Sequence, residues 1–476
     1  MNLELEAIPF ASLTDIATLL RTTELTSVAL TEQMLARIEQ MNPKLNAFIT
    51  VTPTEALAQA HHADIAFAQG RDFGPLHGIP IAVKDLFATQ GIRTTSGTKL
   101  YANWIPQEDA TVIRQLKALG AVILGKTGLH ELAWGSTSIN PHYGAIRNPW
   151  HTDYHPGGSS GGSAVAVAAG LAYAALGTDT GCSVRQPAHC CGIVGHKPTF
   201  GLVSKAGVTP LCWSLDHVGF LTRTVRDTAL LQQHLAAYDP ADPYSVRQPA
   251  VDYVAMLERP LPGIRIGVPH SYFFEGGDPE VGQIVLEAAS CLEALGATIV
   301  DVSLPNLAQV SEAVSLTFAE AVAAHGTAWR QTPEGFSQEM LRQFEHTAKI
   351  SGAEYAQAQQ SRQQFRQAVT AVMTQCDLLL TPTSSIAAEP IAAEPSPRGH
   401  ERPKNTRLFN FTGQPSISVP CGFTQTGLPV GLMLTGRMFE DATVLRAAHA
   451  FEQATCWHVQ RPPIDKVTAV PAGQSL

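Results

Sequence analysis

The sequence predicts an α/β protein in which a central β-sheet is covered by helices on both faces and preceded by a helical N-terminal segment. Two observations lead to this fold class. Short apolar runs of strand length recur from about residue 76 onward, with segments of helix length between them. The first 70 residues instead show apolar residues at helical spacing. Strands that alternate with helices are typical of a sheet covered on both faces.

The N-terminal segment, residues 1–70, is expected to form helices that pack on the core. Thr26 is suited to cap a helix whose apolar residues recur every three or four positions. The pair Asn42-Pro43 is expected to end this helix. A further helix is predicted to start at Thr54 and to stop at Gly70.

Seven apolar runs are predicted strands. They span residues 79–83, 121–124, 263–268, 297–302, 378–380, 417–419 and 430–434. Between the first two, Asp109 is expected to cap a helix that ends near Gly120.

Two segments interrupt the strand pattern. Residues 307–375 are rich in Gln, Glu and Ala and predict a helical insertion lying over the sheet. In residues 384–403 the unit Ile-Ala-Ala-Glu-Pro occurs twice in succession, and further prolines follow. Proline cannot donate to a sheet ladder or continue a helix, so this segment is a predicted surface loop. A connective role is expected, with an active-site flap as the alternative.

Composition and charge exclude several functions. The chain is 45% hydrophobic and 15% charged, as in ordinary globular proteins, and has a formal charge of −9 with no basic run. We therefore expect no nucleic-acid partner. The first nine residues lack the features of a secretory signal, and the alanine-rich stretch 164–175 is too short for a membrane span. The eight cysteines show no C-x-x-C spacing and are expected to be buried thiols in a cytoplasmic protein.

A glycine- and serine-rich run, GGSSGGS at residues 157–163, is the strongest sign of chemistry. Such a run lets the backbone fold tightly and bring hydroxyl and N–H groups beside a reacting atom. It lacks the Gly-Lys-Ser/Thr ending of a nucleotide-binding loop. It does match the nucleophile elbow G-x-S-x-G. However, polar residues rather than an apolar strand precede it, so an elbow serine with downstream Asp and His is a minor alternative.

Lys84 ends the first predicted strand, within GIPIAVKD at residues 78–85, where its stem would be buried. A desolvated lysine has a lowered pKa and can act as a neutral base. A second small-residue turn, TDTGCSVRQP at residues 178–187, contributes Ser183. Lys84, Ser159 and Ser183 are spaced 75 and 24 residues apart (84 to 159, and 159 to 183). These motifs and spacings resemble the amidase signature family, whose hydrolases use a Ser–cis-Ser–Lys triad.

The resemblance runs from about residue 10 to 455 and implies one large domain, residues 71–470, with a mixed central sheet. It makes Ser183 the nucleophile, Ser159 the bridging serine after a cis peptide bond from Gly158, and Lys84 the terminal base. The expected substrate is a small-molecule carboxamide, including aryl amides, or a related ester or carbamate. No cofactor and no metal are implied. The oligomeric state stays open, with a homodimer as one option.

The resemblance also implies an oxyanion hole built from the backbone N–H groups of Thr180, Gly181, Cys182 and Ser183. Cys182 departs from the glycine commoner at this position, and a positive φ there would strain it. Asp179 and Arg185, which flank this turn, are expected to form a buried ion pair.

Other polar residues of the matching region are expected to be structural. Ser160 and Ser163 should bond the loop and cap the helix that begins near residue 164. His189, His196 and His217 lie on segments that the family uses structurally.

Trp134 and Trp213 lie on segments that neighbour the triad in family members, and they predict an apolar or aromatic substrate group. The alternative from another class is an A-type subunit of glutamyl-tRNA amidotransferase, which releases ammonia from glutamine. Residues 339–365 look more like stand-alone amidases, so the stand-alone enzyme is the preferred interpretation. A non-catalytic homologue is disfavoured because Lys84, Ser159 and Ser183 are all present.

Overall fold

The computed structural model of the chain describes residues 7–466. Residues 1–6, at the start of the predicted helical segment, and residues 467–470, at the end of the predicted domain, lie outside the described residues. The strands of the described part are β1 Phe48–Val51, β2 Pro80–Lys84, β3 Val122–Thr127, β4 Ile139–Asn140, β5 Gly144–Ala145, β6 Ala174–Asp179, β7 Val194–Lys197, β8 His217–Thr222, β9 Arg265–Val268, β10 Thr298–Asp301, β11 Leu378–Pro382, β12 Ser416–Phe423 and β13 Pro429–Gly436. Eleven of them form one large sheet, with strand order β1-β3-β2-β6-β8-β7-β12-β13-β11-β9-β10, and β4 and β5 pair with each other in a separate two-stranded sheet.

The α-helices of the described residues fall before, between and after these strands. They are α1 Leu13–Arg21, α2 Ser27–Leu45, α3 Pro53–Ala68, α4 Thr111–Ala118, α5 Gly161–Ala168, α6 Arg185–Cys191, α7 Val225–Leu235, α8 Tyr253–Met256, α9 His270–Phe273, α10 Pro279–Ala294, α11 Leu307–Thr317, α12 Ala319–His325, α13 Ala328–Gln331, α14 Gln338–Thr347, α15 Gly352–Val372, α16 Arg407–Thr412 and α17 Asp441–Ala454. No helix within residues 7–466 has the length and apolar character needed to cross a membrane.

The sheet is mixed, and helices cover both of its faces. Strand β2 runs parallel to β3 and β6, whereas β8 pairs antiparallel with both β6 and β7. Strand β11 shows the two covered faces directly. Leu379 packs in a cluster with helices of residues 307–375, and its neighbours Leu378 and Leu380 pack with α10 and α17 on the other side. The predicted α/β fold class is confirmed.

The N-terminal segment is not purely helical. It contributes β1, which pairs antiparallel with β3 at the edge of the sheet. Thr26 caps α2 as predicted, since its side chain accepts a hydrogen bond from the N–H of Ala29. The prediction that Asn42-Pro43 ends the helix is wrong by one turn. The helix continues through Pro43 to Leu45, and the C-cap residue Asn46 adopts a left-handed conformation.

Asp109 does not cap α4. The N-cap position is Ala110, and the Asp109 carboxylate instead accepts from the N–H of Gln90 and pairs with Lys117 at 2.8 Å. The sequence also yielded no prediction for β6, β7 and β8. The glycine, alanine and histidine residues in these strands weaken the apolar pattern.

Residues 307–375 fold into α11 to α15, and their buried side chains pack against Leu379 and Met433 of the sheet. Residues 384–403 contain only short 3-10 turns besides loop. This loop approaches the glycine-rich run, because the N–H of His155 donates to the carbonyl of Glu389 at 3.1 Å.

Candidate active site

The candidate site lies where two parallel strands end side by side. Lys84 is the last residue of β2, and Thr178 is the penultimate residue of β6, the neighbouring strand. The carboxyl ends of parallel strands are a common position for active sites in α/β sheets. The glycine-rich run, residues 157–163, lies between these two strands in the chain, and its last three residues begin α5.

Lys84 is completely buried and contacts three hydroxyl groups. Its Nζ lies 2.8 Å from Ser159 Oγ, 2.9 Å from Ser160 Oγ and 2.7 Å from Thr178 Oγ1. Burial lowers the pKa of Lys84 to about 7, against opposing effects from the negative charges of Asp179 and Asp216. A substantial fraction of the side chain is therefore a neutral amine near pH 7, which is the form that accepts a proton.

The glycine-rich run is held against its surroundings by backbone contacts. The Gly158–Ser159 peptide bond is cis, as the resemblance implied. The N–H of Gly158 donates to the side-chain carbonyl of Gln186 at 2.8 Å, and the carbonyl of Ser159 accepts from the N–H of His130. At Gly162 a Cβ atom would lie 2.4 Å from the carbonyl oxygen of Ala47, so a larger residue does not fit.

Ser183 lies in the turn between β6 and α6, and a buried ion pair supports this turn. Arg185 binds Asp179 through two contacts, at 2.9 and 3.0 Å, and the predicted pair is confirmed. Although burial alone would raise the pKa of Asp179, the Arg185 guanidinium holds it below its usual range. The Ser183 carbonyl accepts from the N–H of Ser160 at 3.1 Å, which ties this turn to the glycine-rich run.

In the part of the chain that the structure describes, the turn at residues 180–183 leaves backbone N–H groups without an acceptor. Among the described residues, the N–H groups of Gly181, Cys182 and Ser183 donate to no other residue. Asp216 fixes the beginning of the turn, because its Oδ1 accepts from Thr180 Oγ1 at 2.6 Å. The same carboxylate accepts from the N–H groups of Leu211 and Cys212.

Cys182 does not adopt a positive φ, so the backbone strain considered for a cysteine at this position is not present. Its Sγ lies 3.5 Å from the carbonyl oxygen of Gly158. Burial raises the pKa of the Cys182 thiol to about 12. The thiol is therefore protonated at neutral pH, which makes it a poor nucleophile beside Ser183.

A cavity of about 610 Å³ opens onto Ser183 and the 181–183 backbone; we call it the active-site cavity. Trp134 lines it, stacked on Phe318 with ring centroids 5.7 Å apart. Helix α14 contributes three charged or titratable side chains, and α16 begins with a fourth, so that the polar lining includes Glu339, Arg342, His346 and Arg407. The Cβ of Arg407 lies 3.6 Å from the position of a Cβ built on Gly181.

Trp213 lies on a different cavity. A neighbouring space of about 180 Å³, here called the side chamber, is lined by Trp213, His217, Lys205 and Thr178. Ala133, Thr180 and Leu211 line both cavities and therefore form the wall between them. The two tryptophans predicted to bind substrate thus lie on opposite sides of this wall.

Sequence reasoning missed four residues of the site. Ser160 and Thr178 complete the set of hydroxyl groups around Lys84, although Ser160 was expected to cap α5; it occupies the N-cap position without a capping hydrogen bond. A serine within a serine-rich loop gives no signal for which hydroxyl faces the lysine. Arg342 and Arg407 come from distant helices, and only the folded chain brings them into the same cavity as Ser183.

The histidines of the matching region have structural contacts. His189 bonds Ile386 and Gly431 through its two ring nitrogens. His196 lies 3.6 Å from Asp441. His217 Nδ1 lies 2.6 Å from the carbonyl oxygen of Leu215.

Within residues 7–466, one group of potential metal ligands comes together outside the set Lys84, Ser159 and Ser183. His155, Glu389 and Glu394 place ligand atoms within 4.8 Å of one another. However, Nδ1 of His155 accepts from the N–H of Gly157, so its proton resides on Nε2, the nitrogen facing the carboxylates. Arg402 pairs with both glutamates. We interpret the group as an ion-paired anchor of residues 384–403.

Comparison with known proteins places this geometry in a family. The profile of the family described as Amidase matches residues 29–445. The chain belongs to the amidase family. Family membership makes it an enzyme that acts on C–N bonds, which confirms the resemblance seen in the sequence.

The chain is similar to the A-type subunit of glutamyl-tRNA(Gln) amidotransferase from Geobacter metallireducens, with 43% identity covering 94% of this chain and 97% of that protein. The solved structure of the corresponding protein from Thermotoga maritima is 33% identical, with a TM-score of 0.82 and coverage of 95% and 96%. A peptide amidase in complex with chymostatin is 32% identical, with a TM-score of 0.85 and coverage of 95% and 99%. The two amidotransferase relatives, of which the first is the more similar in sequence, support the amidotransferase alternative better than the stand-alone amidase preferred from the sequence.

Proposed function

We propose that the chain hydrolyses a carboxamide through an acyl-enzyme on Ser183, and that the side-chain amide of glutamine is its substrate. The observation that carries the proposal is the buried Lys84, in contact with Ser159 and with a pKa of about 7, beside a cavity that exposes Ser183. The relatives named as amidotransferase subunits support glutamine over other amides.

In the proposed reaction, Ser183 Oγ attacks the amide carbon while its proton passes through Ser159 to the neutral amine of Lys84. The C–O bond forms as the carbonyl π electrons move to oxygen, and the N–H groups of residues 181–183 bind the resulting oxyanion. Lys84 then returns the proton through Ser159 to the leaving nitrogen, and the C–N bond breaks with release of ammonia. Water repeats the sequence on the ester, which yields the carboxylic acid and free Ser183.

The charges of the active-site cavity suit glutamine. Its α-carboxylate needs a cation and its α-ammonium needs an anion. Arg342 and Arg407 supply cations, and Glu339 supplies an anion one helical turn before Arg342. His130, whose Nε2 lies 3.8 Å from Glu339 Oε1, lowers the pKa of Glu339, so this carboxylate stays charged at neutral pH.

A second candidate is the stand-alone hydrolysis of larger aryl or aliphatic amides. Two observations favour it. The active-site cavity, at about 610 Å³, falls within the range of about 300–1,000 Å³ that is typical for drug-sized ligands. Trp134 and Phe318 also form an aromatic wall beside the nucleophile. Lys84, Ser159 and Ser183 all belong to this one chain, so hydrolysis itself would need no partner protein.

The first test is ammonia release by the purified chain, from L-glutamine and from the uncharged amides hexanamide and benzamide. Arg342→Gln and Arg407→Gln should each raise KM for glutamine at least tenfold and leave KM for hexanamide unchanged. Arg446→Gln, far from the cavity, is the control. Efficient turnover of uncharged amides and anilides with none of glutamine, alone or with amidotransferase partner subunits, would establish the second candidate.

The second test concerns the nucleophile. Ser183→Ala should abolish turnover with the fold intact, and the matched neighbour variant Cys182→Ala should keep it. Mass spectrometry of the acylated enzyme should place the adduct on Ser183. An adduct on Ser159 or Cys182 would contradict the proposed mechanism.

A further inference from the structure

The side chamber lies behind the proposed catalytic groups and has a size suited to one ring. Its volume is about 180 Å³, and an apolar protein cavity of about 150 Å³ is large enough to bind benzene. Much of its lining is apolar or aromatic, including Leu86, Val208, Trp213 and Tyr244. Ala241 and Pro243, which are exposed, also line it, so the chamber reaches the surface there.

His217 gives the chamber one specific polar group. Strand β8 begins at His217, which is paired with Asp179 of β6. Its Nδ1 lies 2.6 Å from the carbonyl oxygen of Leu215, and because a carbonyl only accepts, Nδ1 carries the proton. Nε2 is therefore an acceptor. It is buried and has no hydrogen-bond partner among the described residues.

The surroundings keep this imidazole neutral. Burial, with the nearby charge of Lys197, holds the pKa of His217 well below its usual range. A buried acceptor without a partner costs free energy, and a ligand that donates a hydrogen bond removes that cost.

Lys205 closes another side of the chamber. Its Nζ donates to the carbonyl of Trp213 at 2.5 Å and lies 4.4 Å from the ring centroids of both Phe200 and Tyr244. These contacts fix the ammonium in place and hold the aromatic wall around it.

Two carboxylates also line the chamber, and both already accept hydrogen bonds: Asp216 from Thr180 Oγ1, and Asp242 from the N–H groups of Lys205 and Tyr244. A ligand in the chamber thus meets aromatic rings, a fixed cation at the edge and, at His217 Nε2, a buried acceptor that has no partner among the described residues.

We propose that the side chamber is a binding subsite for one small aromatic ring that carries an O–H or N–H donor, directed at Nε2 of His217. Phenols and anilines have this chemistry. The ring is either a free molecule or part of an aryl substrate that reaches past Leu211. Thr178, which contacts Lys84, and Thr180, which begins the turn of residues 180–183, also line the chamber. A ligand in the chamber therefore lies next to both residues.

The binding test uses Ser183→Ala protein, so that it does not depend on the hydrolytic mechanism. Phenol should bind more tightly than toluene, which has the same shape and no donor. His217→Phe should reduce the affinity for phenol about fivefold to tenfold, as expected for one lost hydrogen bond, and leave toluene unchanged. Because this variant also removes the shorter of the two hydrogen bonds that the Leu215 carbonyl accepts, Ala241→Trp serves as a second variant. It changes only an exposed residue at the opening of the chamber and should weaken the binding of both phenol and toluene.

The location test is a crystal soaked with 4-bromophenol. The bromine signal should lie in the side chamber, with the phenol oxygen within about 3.2 Å of His217 Nε2. Bromine only in the active-site cavity, or equal binding of phenol and toluene to Ser183→Ala protein, would overturn the subsite.

The source of the ring is tested with catalytically active protein. If the ring belongs to the substrate, Ala241→Trp should raise KM for 4-hydroxyacetanilide and leave KM for hexanamide unchanged. If the ring is a free molecule, both KM values should be unchanged by Ala241→Trp and phenol should not compete with 4-hydroxyacetanilide. Either result keeps the subsite, which fails only through the two binding outcomes above.

Discussion

The pKa of Lys84 should control both the rate of catalysis and the stability of the fold. Complete burial lowers the pKa of this lysine from 10.5 to about 7. If neutral Lys84 is the base, kcat/KM should rise about tenfold from pH 6 to pH 8, with its midpoint near pH 7 and a plateau above. Lys84→Met should reduce kcat about 10²- to 10⁴-fold.

The effect on stability follows from the same shift. Below pH 7 the lysine is charged in both the folded and the unfolded state, so its contribution to the free energy of unfolding does not change with pH. Between pH 7 and 10.5 the folded state holds neutral Lys84 while the unfolded state still binds the proton. The free energy of unfolding therefore rises with pH in this window, by about 2 kcal/mol between pH 7 and pH 9.

The assay is urea unfolding at pH 6, 7, 8 and 9 for the natural protein, Lys84→Met and the exposed control Lys349→Met. The natural protein and Lys84→Met share all other titrating groups, so the difference between these two isolates Lys84, and Lys349→Met shows the effect of removing an exposed lysine. It should be constant from pH 6 to about 7 and then grow by about 2 kcal/mol up to pH 9. A flat difference, together with a rate midpoint far above pH 7, would refute a neutral buried lysine.

Three further predictions concern neighbours of the triad. Asp216→Asn should lower kcat about 10- to 100-fold, because it loosens the turn of residues 180–183 that would bind the oxyanion. It should also shift the rate midpoint to lower pH, because the Asp216 charge raises the pKa of Lys84; an unchanged pH profile would contradict this role. Arg185→Met should reduce the free energy of unfolding by about 3–5 kcal/mol, measured in urea, because it leaves Asp179 charged and buried. Adding Asp179→Asn should recover part of this loss, and no recovery would argue against the ion pair. Trp134→Ala should raise KM for benzamide and leave KM for hexanamide unchanged in steady-state kinetics; equal effects on both would mean that its ring supports the fold alone.

The strands with continuous apolar runs were predictable, and those with interrupted runs were not. Strand β11 has three consecutive leucines that alternate between two buried faces, so its sequence pattern is strong. Strand β8 includes His217 and Gly219, which obscure the pattern. Helix α2 passes through Pro43 because its last buried residue, Leu45, lies beyond the proline. Tertiary packing there outweighs a local signal that usually ends a helix.

The chemistry of the site was more accessible to sequence reasoning than its walls. Lys84, Ser159 and Ser183 lie in short motifs with fixed spacing, and the structure places the first two in direct contact. Arg342 lies on α14 and Arg407 begins α16. Neither is near a motif, and only the packing of these helices over the sheet directs them into the cavity. The side chamber is likewise invisible in the sequence, because its lining comes from several separate segments.

The sheet positions Lys84 and Thr178, whereas helices form the outer wall of the active-site cavity, and this separation affects how such a chain could acquire new substrates. Backbone hydrogen bonds join β2 to β6, so the separation of Lys84 and Thr178 is fixed by the spacing of about 4.8 Å between neighbouring strands. The outer wall of the active-site cavity belongs instead to α11 and α14, which are not part of any ladder. Mutations in these helices can reshape the space around a substrate without moving the proton-accepting amine. Proteins with this architecture can therefore change their substrate range while the reaction stays the same.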